Sequence, residues 1–419
     1  MLQEDKNKII SESMKATRER RKNQVCRVYK VKVDYSRLSK RQKEDFKLLF
    51  LEAKWLSNDI IAYSRKEGNS IFDYHITDNI VRLDKDRNPI NYTLTKIGSQ
   101  MKQSVLDQLK SNVKTLSTLK KKGYDVGPIK FRTKVVSINL KQYGSTYRII
   151  GSNKMKLQNI KGTIIVNGLK QIIDNSDIEC ANAKILNLPT GYFIAITTYI
   201  DKDKVERIDN GKIIGIDFGC STSFITSESD KIDIKLGETE RLKRLQTKLS
   251  RQKKGSNRYN RTRHLIQVEY QKLKYKKLDA ANKLVHRFKQ YHTIVIQDEQ
   301  LEAWKTDGHG KSVQHSILGT VKRKLLELDN TVIISKTAPT TKLCTCCGNR
   351  NETLELKDRV FVCPVCGYTE DRDIHAANNM VWMYQHNVGV GRTDFKREQI
   401  DSQVAKALGI DFQREGITL

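Results

Sequence analysis

The sequence predicts a multidomain α/β protein with three kinds of structural unit. In the second half of the chain, β-branched runs that end in acidic residues predict a mixed sheet of buried strands bounded by turns. Short strands between residues 124 and 205 predict a small antiparallel barrel. Two Cys-x-x-Cys pairs predict a zinc ribbon inserted late in the chain. The 419 residues are enough for two or three domains with a large core.

The first 23 residues are predicted to form a basic arm, either a charged helix or a loose tail. Lys and Arg crowd the stretch from Lys15 to Lys22. The arm lacks the apolar core of a secretory signal, and no apolar run in the sequence is long enough to cross a bilayer. We therefore expect a cytoplasmic protein without a membrane partner, in a compartment where thiols stay reduced.

Residues 24–35 alternate apolar and basic side chains, which is typical of a strand with one solvated face. We assign this strand to the barrel together with residues 123–207. The intervening residues 36–122 change to a helical period, with one apolar stripe from Phe46 to Tyr63 and a second helix from Ser99 to Lys121. We expect an all-helical insertion whose stripes form a core and whose basic faces contact nucleic acid.

The charge balance indicates a polyanionic partner. Lys and Arg number 77 against 48 Asp and Glu, which gives a formal net charge of +29. An excess of this size most often serves nucleic-acid binding, with a membrane surface or an incidental solvated surface as the alternatives. A strongly basic helical hairpin is predicted from Glu238 to Gln290, with a break at residues 253–257. We favour a duplex contact for this hairpin over a merely solvated surface.

Three acidic residues at the ends of predicted elements are candidate catalytic groups. Asp217 lies near the end of a strand from Ile213 to Gly219. Glu299 ends a second strand, which starts at Thr293, and Asp373 precedes a helix-forming run. Each acid alone is compatible with a local turn or cap. Together they can converge on one face of a mixed sheet and offer the oxygen ligands that two Mg²⁺ ions require for phosphodiester hydrolysis.

Five of the eight cysteines crowd between Cys344 and Cys366. Cys344 with Cys347, and Cys363 with Cys366, form two pairs with the spacing of a zinc ribbon. Each pair precedes a glycine, where the chain must turn tightly around the sulfurs. We interpret Cys346 as a bystander. Four thiolates leave no open coordination position, so we expect a structural zinc; a disulfide pair is the weaker alternative in a reducing compartment.

Two further segments are considered for their place in the sequence. The glycine-bearing segment Lys305–Ser312 lies close in sequence to Glu299 and is a candidate lid. The C-terminal tail, residues 387–419, has no pattern to which we assign a function.

Taken in order, these motifs resemble a known family. The order is Asp217 within Gly-Ile-Asp-Phe-Gly, the basic hairpin, Glu299, the cysteine pairs, and Asp373 within Asp-Arg-Asp-Ile-His-Ala-Ala. This order resembles the RuvC-like nuclease of TnpB, the transposon-encoded RNA-guided DNA endonuclease. It is equally similar to the miniature type V-F CRISPR effectors. The likeness is specific over residues 208–382 and looser before residue 208.

The resemblance implies an RNase H-like (RuvC) nuclease domain with an inserted zinc ribbon, a wedge β-barrel and an α-helical recognition lobe. The boundaries that we predict are a basic arm at 1–23, the wedge barrel at 24–35 and 123–207, the recognition lobe at 36–122, the nuclease at 208–343 and 367–386, the target nucleic-acid-binding zinc ribbon at 344–366, and the tail at 387–419.

Two of the three acids map directly onto the family's motifs. The first acid of the family corresponds to Asp217 and the third to Asp373. An ungapped match places Gln297 where many relatives carry the second acid, and an amide cannot supply its charge. Glu299 lies two residues further on the same strand face. We therefore predict Glu299 as the second acid, with Asp298 as the lesser alternative.

The resemblance also implies an activity and its partners. A guide RNA, of transposon or CRISPR origin, would be held between the lobe, barrel and nuclease and would pair with target double-stranded DNA, so that the protein reads only a short flanking motif. The implied cofactors are two Mg²⁺ ions, one structural Zn²⁺ and the guide RNA. Nothing in the sequence resembles a second, HNH-type nuclease, so one site would cut both strands. The implied location is the prokaryotic cytoplasm at the nucleoid, and a monomer and a homodimer are both compatible with the sequence.

Two rival functions use the same residues. A transposase would join DNA ends with the same three acids and without RNA. A non-cleaving, RNA-guided DNA-binding protein would keep the fold and lose the chemistry, and the Gln297-Asp298-Glu299 sequence is the feature that favours it.

Overall fold

The computed structural model describes residues 3–206, 208–304, 308, 310–355 and 357–388. Half of the predicted lid at Lys305–Ser312, namely residues 305–307 and 309, and the predicted tail beyond residue 388 lie outside the described residues. The chain divides into two compact units, with the boundary after Glu206. Within the described ranges, no helix combines the length and hydropathy that a membrane span requires.

The first unit contains four helices and nine strands among its described residues. In chain order they are α1 (Gln3–Lys22), β1 (Gln24–Val33), α2 (Lys40–Tyr63), β2 (Asn79–Leu83), β3 (Pro89–Thr93), α3 (Ser99–Lys121), β4 (Ser137–Leu140), β5 (Tyr147–Gly151), β6 (Lys154–Leu157), β7 (Ile164–Asn167), α4 (Lys170–Ile173), β8 (Glu179–Leu188) and β9 (Gly191–Asp201). Short 3₁₀ turns lie at Tyr35–Arg37, Ile71–Asp73 and Lys202–Lys204.

Seven strands of this unit form one nearly closed antiparallel sheet. The strand order is β4-β8-β9-β1-β7-β6-β5, so β4 and β5 are the two ends of the sheet. These ends are consecutive in the chain, and only residues 141–146 connect them. Six residues span at most about 20 Å, so the sheet must curl until its ends approach each other. Strand β1 pairs with β9 along nine residues, from Gln24 to Lys32, which places the predicted N-terminal strand inside the barrel.

The basic arm is a helix whose last turn is bound to the barrel. Arg21 donates to the carboxylate of Glu179 on β8 at 2.6 Å. Its guanidinium also lies 3.6 Å above the ring of Tyr199 on β9. The helical alternative for the arm is therefore the one observed, since charged side chains along an exposed helix can stay solvated.

The insertion between β1 and β4 is not all-helical. Helix α3 covers the predicted range, but β2 and β3 form an antiparallel hairpin between α2 and α3. The turn of this hairpin is closed by Asp84, whose Oδ1 accepts the N–H groups of Asp86 and Asn88 at 2.8 Å each. Asn79-Ile-Val-Arg-Leu alternates as a strand does, and we missed it because a short hairpin gives a weak periodic signal.

A buried carboxylate ties this hairpin to the helices. Glu52 of α2 is fully buried and accepts hydrogen bonds from the N–H groups of Thr95, Lys96 and Ile97 and from the hydroxyl of Tyr92. Several donors on one carboxylate offset its desolvation. The loop that enters α3 is thereby anchored to the middle of α2.

The second unit is built on a five-stranded mixed sheet. Its elements are β10 (Ile213–Phe218), β11 (Phe224–Thr226), β12 (Lys231–Ile232), α5 (Glu240–Ser250), α6 (Asn257–Phe288), β13 (Thr293–Gln297), α7 (Leu301–Trp304), α8 (Gly310–His315), α9 (Leu318–Leu325), β14 (Thr331–Ile334), β15 (Val360–Val362), β16 (Thr369–Asp371) and α10 (Arg372–Gln385). The sheet order is β12-β11-β10-β13-β14. Strands β10, β13 and β14 are parallel, and β11 and β12 are antiparallel to their neighbours.

Helices cover both faces of this sheet. Alternate residues of β10 and β13, such as Ile216 and Ile296, pack with α6 and α9 in one core. On the other face, Val295 packs with Met380 and Met383 of α10. The predicted basic hairpin is confirmed as α5 and α6, with its break at the predicted position. The two cores leave the carboxyl ends of the parallel strands as the edge where a site can form.

Candidate active site and metal centre

Strand β10 presents Asp217 on the sheet face that α10 covers. Ile214, Ile216 and Phe218 are buried on the opposite face, against α6 and α9. Because strand side chains alternate, Asp217 shares its face with Gly215. The carboxylate is half-buried near the end of the strand, just before the turn that leads into β11.

Gly215 lets α10 lie directly against β10. A Cβ atom at this position would lie 2.0 Å from the carbonyl oxygen of Ala377 and 3.1 Å from Cγ2 of Val381. These distances are too short for any side chain, so only glycine fits here. Asp373 lies one helical turn before Ala377. The close approach therefore brings Asp373 toward the end of β10, where Asp217 lies.

The start of α10 gives its two acids different roles. Asp371 is the N-cap, and its Oδ1 accepts the N–H groups of Asp373 at 3.1 Å and Ile374 at 3.2 Å. Its other oxygen pairs with Lys231 at 2.6 Å. Asp373 instead contacts the neighbouring guanidinium of Arg372 at 3.1 Å, and its charge acts on Asp217. Asp371 thus caps the helix, and Asp373 is the acid of this turn whose charge acts on Asp217.

Beyond β13, the consecutive acids Asp298 and Glu299 have different surroundings. Asp298 is exposed and pairs with Lys322 of α9 at 3.2 Å. Glu299 is half-buried, and burial raises its pKa while Lys322 partly opposes the shift. The charge of Glu299 acts on Asp217. Asp217 is therefore close enough to Glu299 and Asp373 for their charges to raise its pKa. Asp298 instead points toward Lys322 and solvent.

Asp217 is the acid of this cluster with the most strongly raised pKa. Burial is the main cause that raises its pKa to about 8, and the negative charges of Asp373 and Glu299 raise it further. Several carboxylates in a partly desolvated site cannot all stay charged without a compensating cation. Burial and the two neighbouring charges therefore favour the protonated form of Asp217.

The donor set of the cluster fits hard divalent cations. Carboxylate oxygens are the ligands that Mg²⁺ prefers. Among the described residues, the three acids do not form a group whose donor atoms all lie within 4.8 Å of one another. Donor atoms this far apart cannot all bind one small ion. Two ions about 4 Å apart need donor atoms that are spread more widely.

Gln297 has a structural role next to these acids. Its side chain is buried, and its amide N–H groups donate to the carbonyl oxygens of Ser335 at 3.1 Å and Ala338 at 3.0 Å. Its Oε1 accepts the hydroxyl of Thr340 at 2.9 Å. The amide thus binds the loop that follows β14. A glutamate here would lack the protons that these carbonyl groups require.

The four cysteines selected by their spacing lie together. Their sulfur atoms are all within 4.8 Å of one another, with 3.6 Å between the Sγ atoms of Cys344 and Cys366 and 3.5 Å between those of Cys347 and Cys363. A tetrahedron of thiolates with Zn–S bonds of about 2.3 Å has edges of about 3.8 Å. The observed spacing therefore fits one zinc ion, and Cys346 is not a member of the group.

Two equivalent turns shape this centre. Gly348 donates its N–H to the carbonyl of Cys344 at 2.8 Å, and Gly367 donates to that of Cys363 at 3.0 Å. Both glycines have positive φ, 74° and 72°, which explains why a glycine follows each pair. The backbone N–H of Cys366 is the main cause that lowers the pKa of Cys363 to about 6, whereas burial raises the pKa of Cys344. A thiolate is the form that binds zinc.

Sequence reasoning missed one polar group of this region. His375 is buried in α10, and it contacts both ends of the ribbon, at Leu343 and at Glu370. The signal that could have found it is the helical spacing of His375 and Asn379, two polar residues on the inner face of an otherwise apolar helix.

Fold and site together define an α/β protein with a mixed five-stranded sheet and a four-cysteine cluster between β14 and α10. Residues 316–380 match the family model of the Cas12f1-like TNB domain. The match spans the four cysteines and Asp373. Over these residues the chain is similar to that family, which agrees with the resemblance that the motifs predicted.

Two further comparisons were found. A curated protein of Streptomyces pristinaespiralis, named "Putative RNA-guided DNA endonuclease", is 28% identical over 178 residues, which are 40% of this chain and 44% of that protein. This chain therefore spans less than half the length of that relative. A solved cryo-EM structure of a Cas12f1-sgRNA-target DNA complex superposes with a TM-score of 0.41 at 11% identity, covering 85% of this chain and 99% of that one.

Proposed function

We propose that the protein is an RNA-guided DNA endonuclease. It would hydrolyse phosphodiester bonds of double-stranded DNA that is complementary to a guide RNA and next to a short flanking motif. The observation that carries the proposal is the approach of three acids from the ends of β10 and β13 and from the start of α10, where burial and the charges of Asp373 and Glu299 raise the pKa of Asp217.

The sheet topology supports a RuvC-like assignment. Three parallel strands flanked by an antiparallel hairpin, with one helix packed across β10, correspond to the core that the motifs predict for this nuclease class. The acids stand at the carboxyl ends of two adjacent parallel strands and at the start of α10. Ligand sites of open α/β sheets commonly lie at this edge.

The chemistry proposed for the site divides between the ions and the chain. Two Mg²⁺ ions, when bound, would activate a water molecule and stabilise the leaving oxygen of the phosphodiester. Asp217 must release its proton to bind them, which links metal binding to pH. Glu299 and Asp373 would complete the ligand set, and Arg372 would orient the carboxylate of Asp373 through their 3.1 Å contact.

Nucleic-acid contacts are proposed for the basic hairpin of the same unit. Lys243, Arg244, Lys248 and Arg251 line one open groove along α5. Residues three or four apart share a helix face, so this face can follow a phosphate backbone. The zinc ribbon would hold a fixed loop for the target strand, with zinc in a structural role.

The test uses protein purified with the RNA that accompanies it. Wild type should cut a plasmid that matches the RNA in Mg²⁺ and should be inactive in EDTA, whereas Asp217→Ala should bind the plasmid without cutting it. Glu299→Gln should be inactive and Asp298→Asn active, because only Glu299 acts on Asp217. Cutting by Asp217→Ala would refute the site. Strand-transfer products without bound RNA would identify a transposase instead.

A second function has one specific observation in its favour. The amide of Gln297 occupies the position where many relatives have an acid, and it is fully used in structural hydrogen bonds. A non-cleaving, RNA-guided DNA-binding protein would tolerate this change. Such a protein would bind the matched plasmid with its RNA and leave it intact at every Mg²⁺ concentration.

A further inference from the structure

His375 connects the zinc ribbon to the helix that carries Asp373. One ring nitrogen, Nε2, lies 2.7 Å from the carbonyl oxygen of Leu343, the residue before Cys344. The other, Nδ1, lies 3.1 Å from Oε2 of Glu370, in the strand that follows the second cysteine pair. A single imidazole on α10 thus contacts the chain where it enters the ribbon and where it leaves.

The ring is also packed against the metal-binding core of the ribbon. Phe361 stacks on His375 with 3.9 Å between the ring centroids and 15° between the planes. The same phenylalanine is fully buried with Cys344 and Cys363 in one small core. A ribbon core of this size depends on its metal, because few apolar side chains hold it together.

Neighbouring polar groups fix the partners of the imidazole. The Glu370 carboxylate also accepts the hydroxyl of Tyr368 at 3.0 Å and the amide of Asn378 at 2.8 Å. One turn further along α10, Asn379 donates to the carbonyl oxygens of Leu343 at 2.8 Å and Thr340 at 2.6 Å. The contacts of the ring are therefore held from both sides and cannot shift independently of α10.

We propose that His375 is a positioning residue that makes the placement of Asp373 depend on a zinc-loaded ribbon. Asp373 lies two residues earlier in the same helical turn, so a displacement of the ring moves the first turn of α10 with it. Zinc loss would release Phe361 and Leu343, and His375 would transmit that release to the acid. The inference rests on the proposed function. It adds that zinc binding in the ribbon sets the affinity of the acids for the catalytic ions.

The experiment compares His375→Ala, His375→Asn and His386→Ala. His386 is an exposed histidine at the other end of the same helix and serves as the matched control. Zinc is measured by elemental analysis, and Mn²⁺ binding at the acids by electron paramagnetic resonance, with Asp217→Ala to identify those sites. Cleavage of matched DNA gives kcat and KM.

We expect His375→Ala to retain one zinc per chain and a near-normal KM, while its Mn²⁺ affinity and kcat fall by roughly 10- to 100-fold, the range for residues that orient metal ligands. His375→Asn should recover part of the loss, because an amide can still donate to Leu343. His386→Ala should match wild type.

Removal of zinc provides the decisive comparison. Removal of zinc by chelation should lower the Mn²⁺ affinity of wild type by the same factor as the His375→Ala substitution does. In the His375→Ala variant, removal of zinc should lower the Mn²⁺ affinity little further. An Mn²⁺ affinity of His375→Ala equal to that of wild type, or a loss on chelation that is equal in both proteins, would overturn the proposal. If His375→Ala fails to fold, the same comparison with His375→Asn decides. Wild type that binds Mn²⁺ through Asp217 but never cuts would refute the proposed function and leave this coupling testable.

Discussion

Replacing Gly215 by alanine should separate α10 from the sheet. The added Cβ atom would lie 2.0 Å from the carbonyl oxygen of Ala377, whereas ordinary contact begins at 3.4 Å. Both partners are backbone atoms, so no side chain can rotate away. The helix must therefore recede by about 1.4 Å, or the strand must bend by as much.

Two effects of this displacement can be estimated. Overpacking of a rigid contact costs about 1–3 kcal/mol of the free energy of unfolding, which corresponds to a fall in Tm of about 2–12 °C for a unit of this size. Asp373 moves away from Asp217 with the helix. A displacement of about 1 Å in a catalytic group can cost roughly 100-fold in rate. The rate effect should therefore exceed what the loss of folded protein explains.

The measurement combines thermal unfolding with single-turnover cleavage of matched DNA at a temperature where the variant is folded. Gly319→Ala is the control, because Gly319 is exposed on α9 and its Cβ atom would meet only Leu301, at 4.0 Å. That variant should be as stable and as active as wild type. Cleavage by Gly215→Ala within about twofold of the wild-type rate would refute the reasoning that α10 sets the position of the acid.

Three further predictions follow from the site. The folded pKa of Asp217, about 8, lies above its ordinary value of 3.8, so metal-free protein should lose stability as pH rises from about 4 to about 8 and should level off above pH 8. Asp217→Asn should remove this slope, as melting in EDTA from about pH 5 to about pH 9.5 will show. Gln297→Glu should lower the free energy of unfolding by about 2–4 kcal/mol, because it places a carboxylate against carbonyl oxygens, and an unchanged denaturant midpoint would contradict the role assigned to the amide. Cys363→Ser should reduce the zinc content from one ion per chain to near zero by elemental analysis, and full zinc retention would exclude the four-thiolate site.

Features that depend on local patterns could be predicted from the sequence. Helix α3 begins and ends at the predicted residues, Ser99 and Lys121, because its apolar stripe and its glycine terminator are both local signals. The cysteine group could be selected because knuckle spacing is set by the geometry of one turn. Cys346 could be set aside for the same reason.

Features that depend on distant contacts could not be predicted. Gln297 binds a loop about 40 residues further along the chain, and only the folded sheet brings that loop to the end of β13. The contacts of His375 with Leu343 and Glu370 likewise span the whole ribbon. The different surroundings of Asp298 and Glu299 depend on the position of Lys322 in α9, which no strand period reveals.

The contacts of His375 have a consequence for shortening this chain. A deletion that joins the strand before the ribbon directly to α10 would remove Leu343 and Glu370, the acceptors of a buried imidazole, and would leave that ring unsatisfied inside the protein. The ribbon therefore cannot be deleted without further changes. A shortened protein must either keep the contacts of His375 with Leu343 and Glu370 or replace His375 and Asn379 with apolar side chains that pack against the new junction.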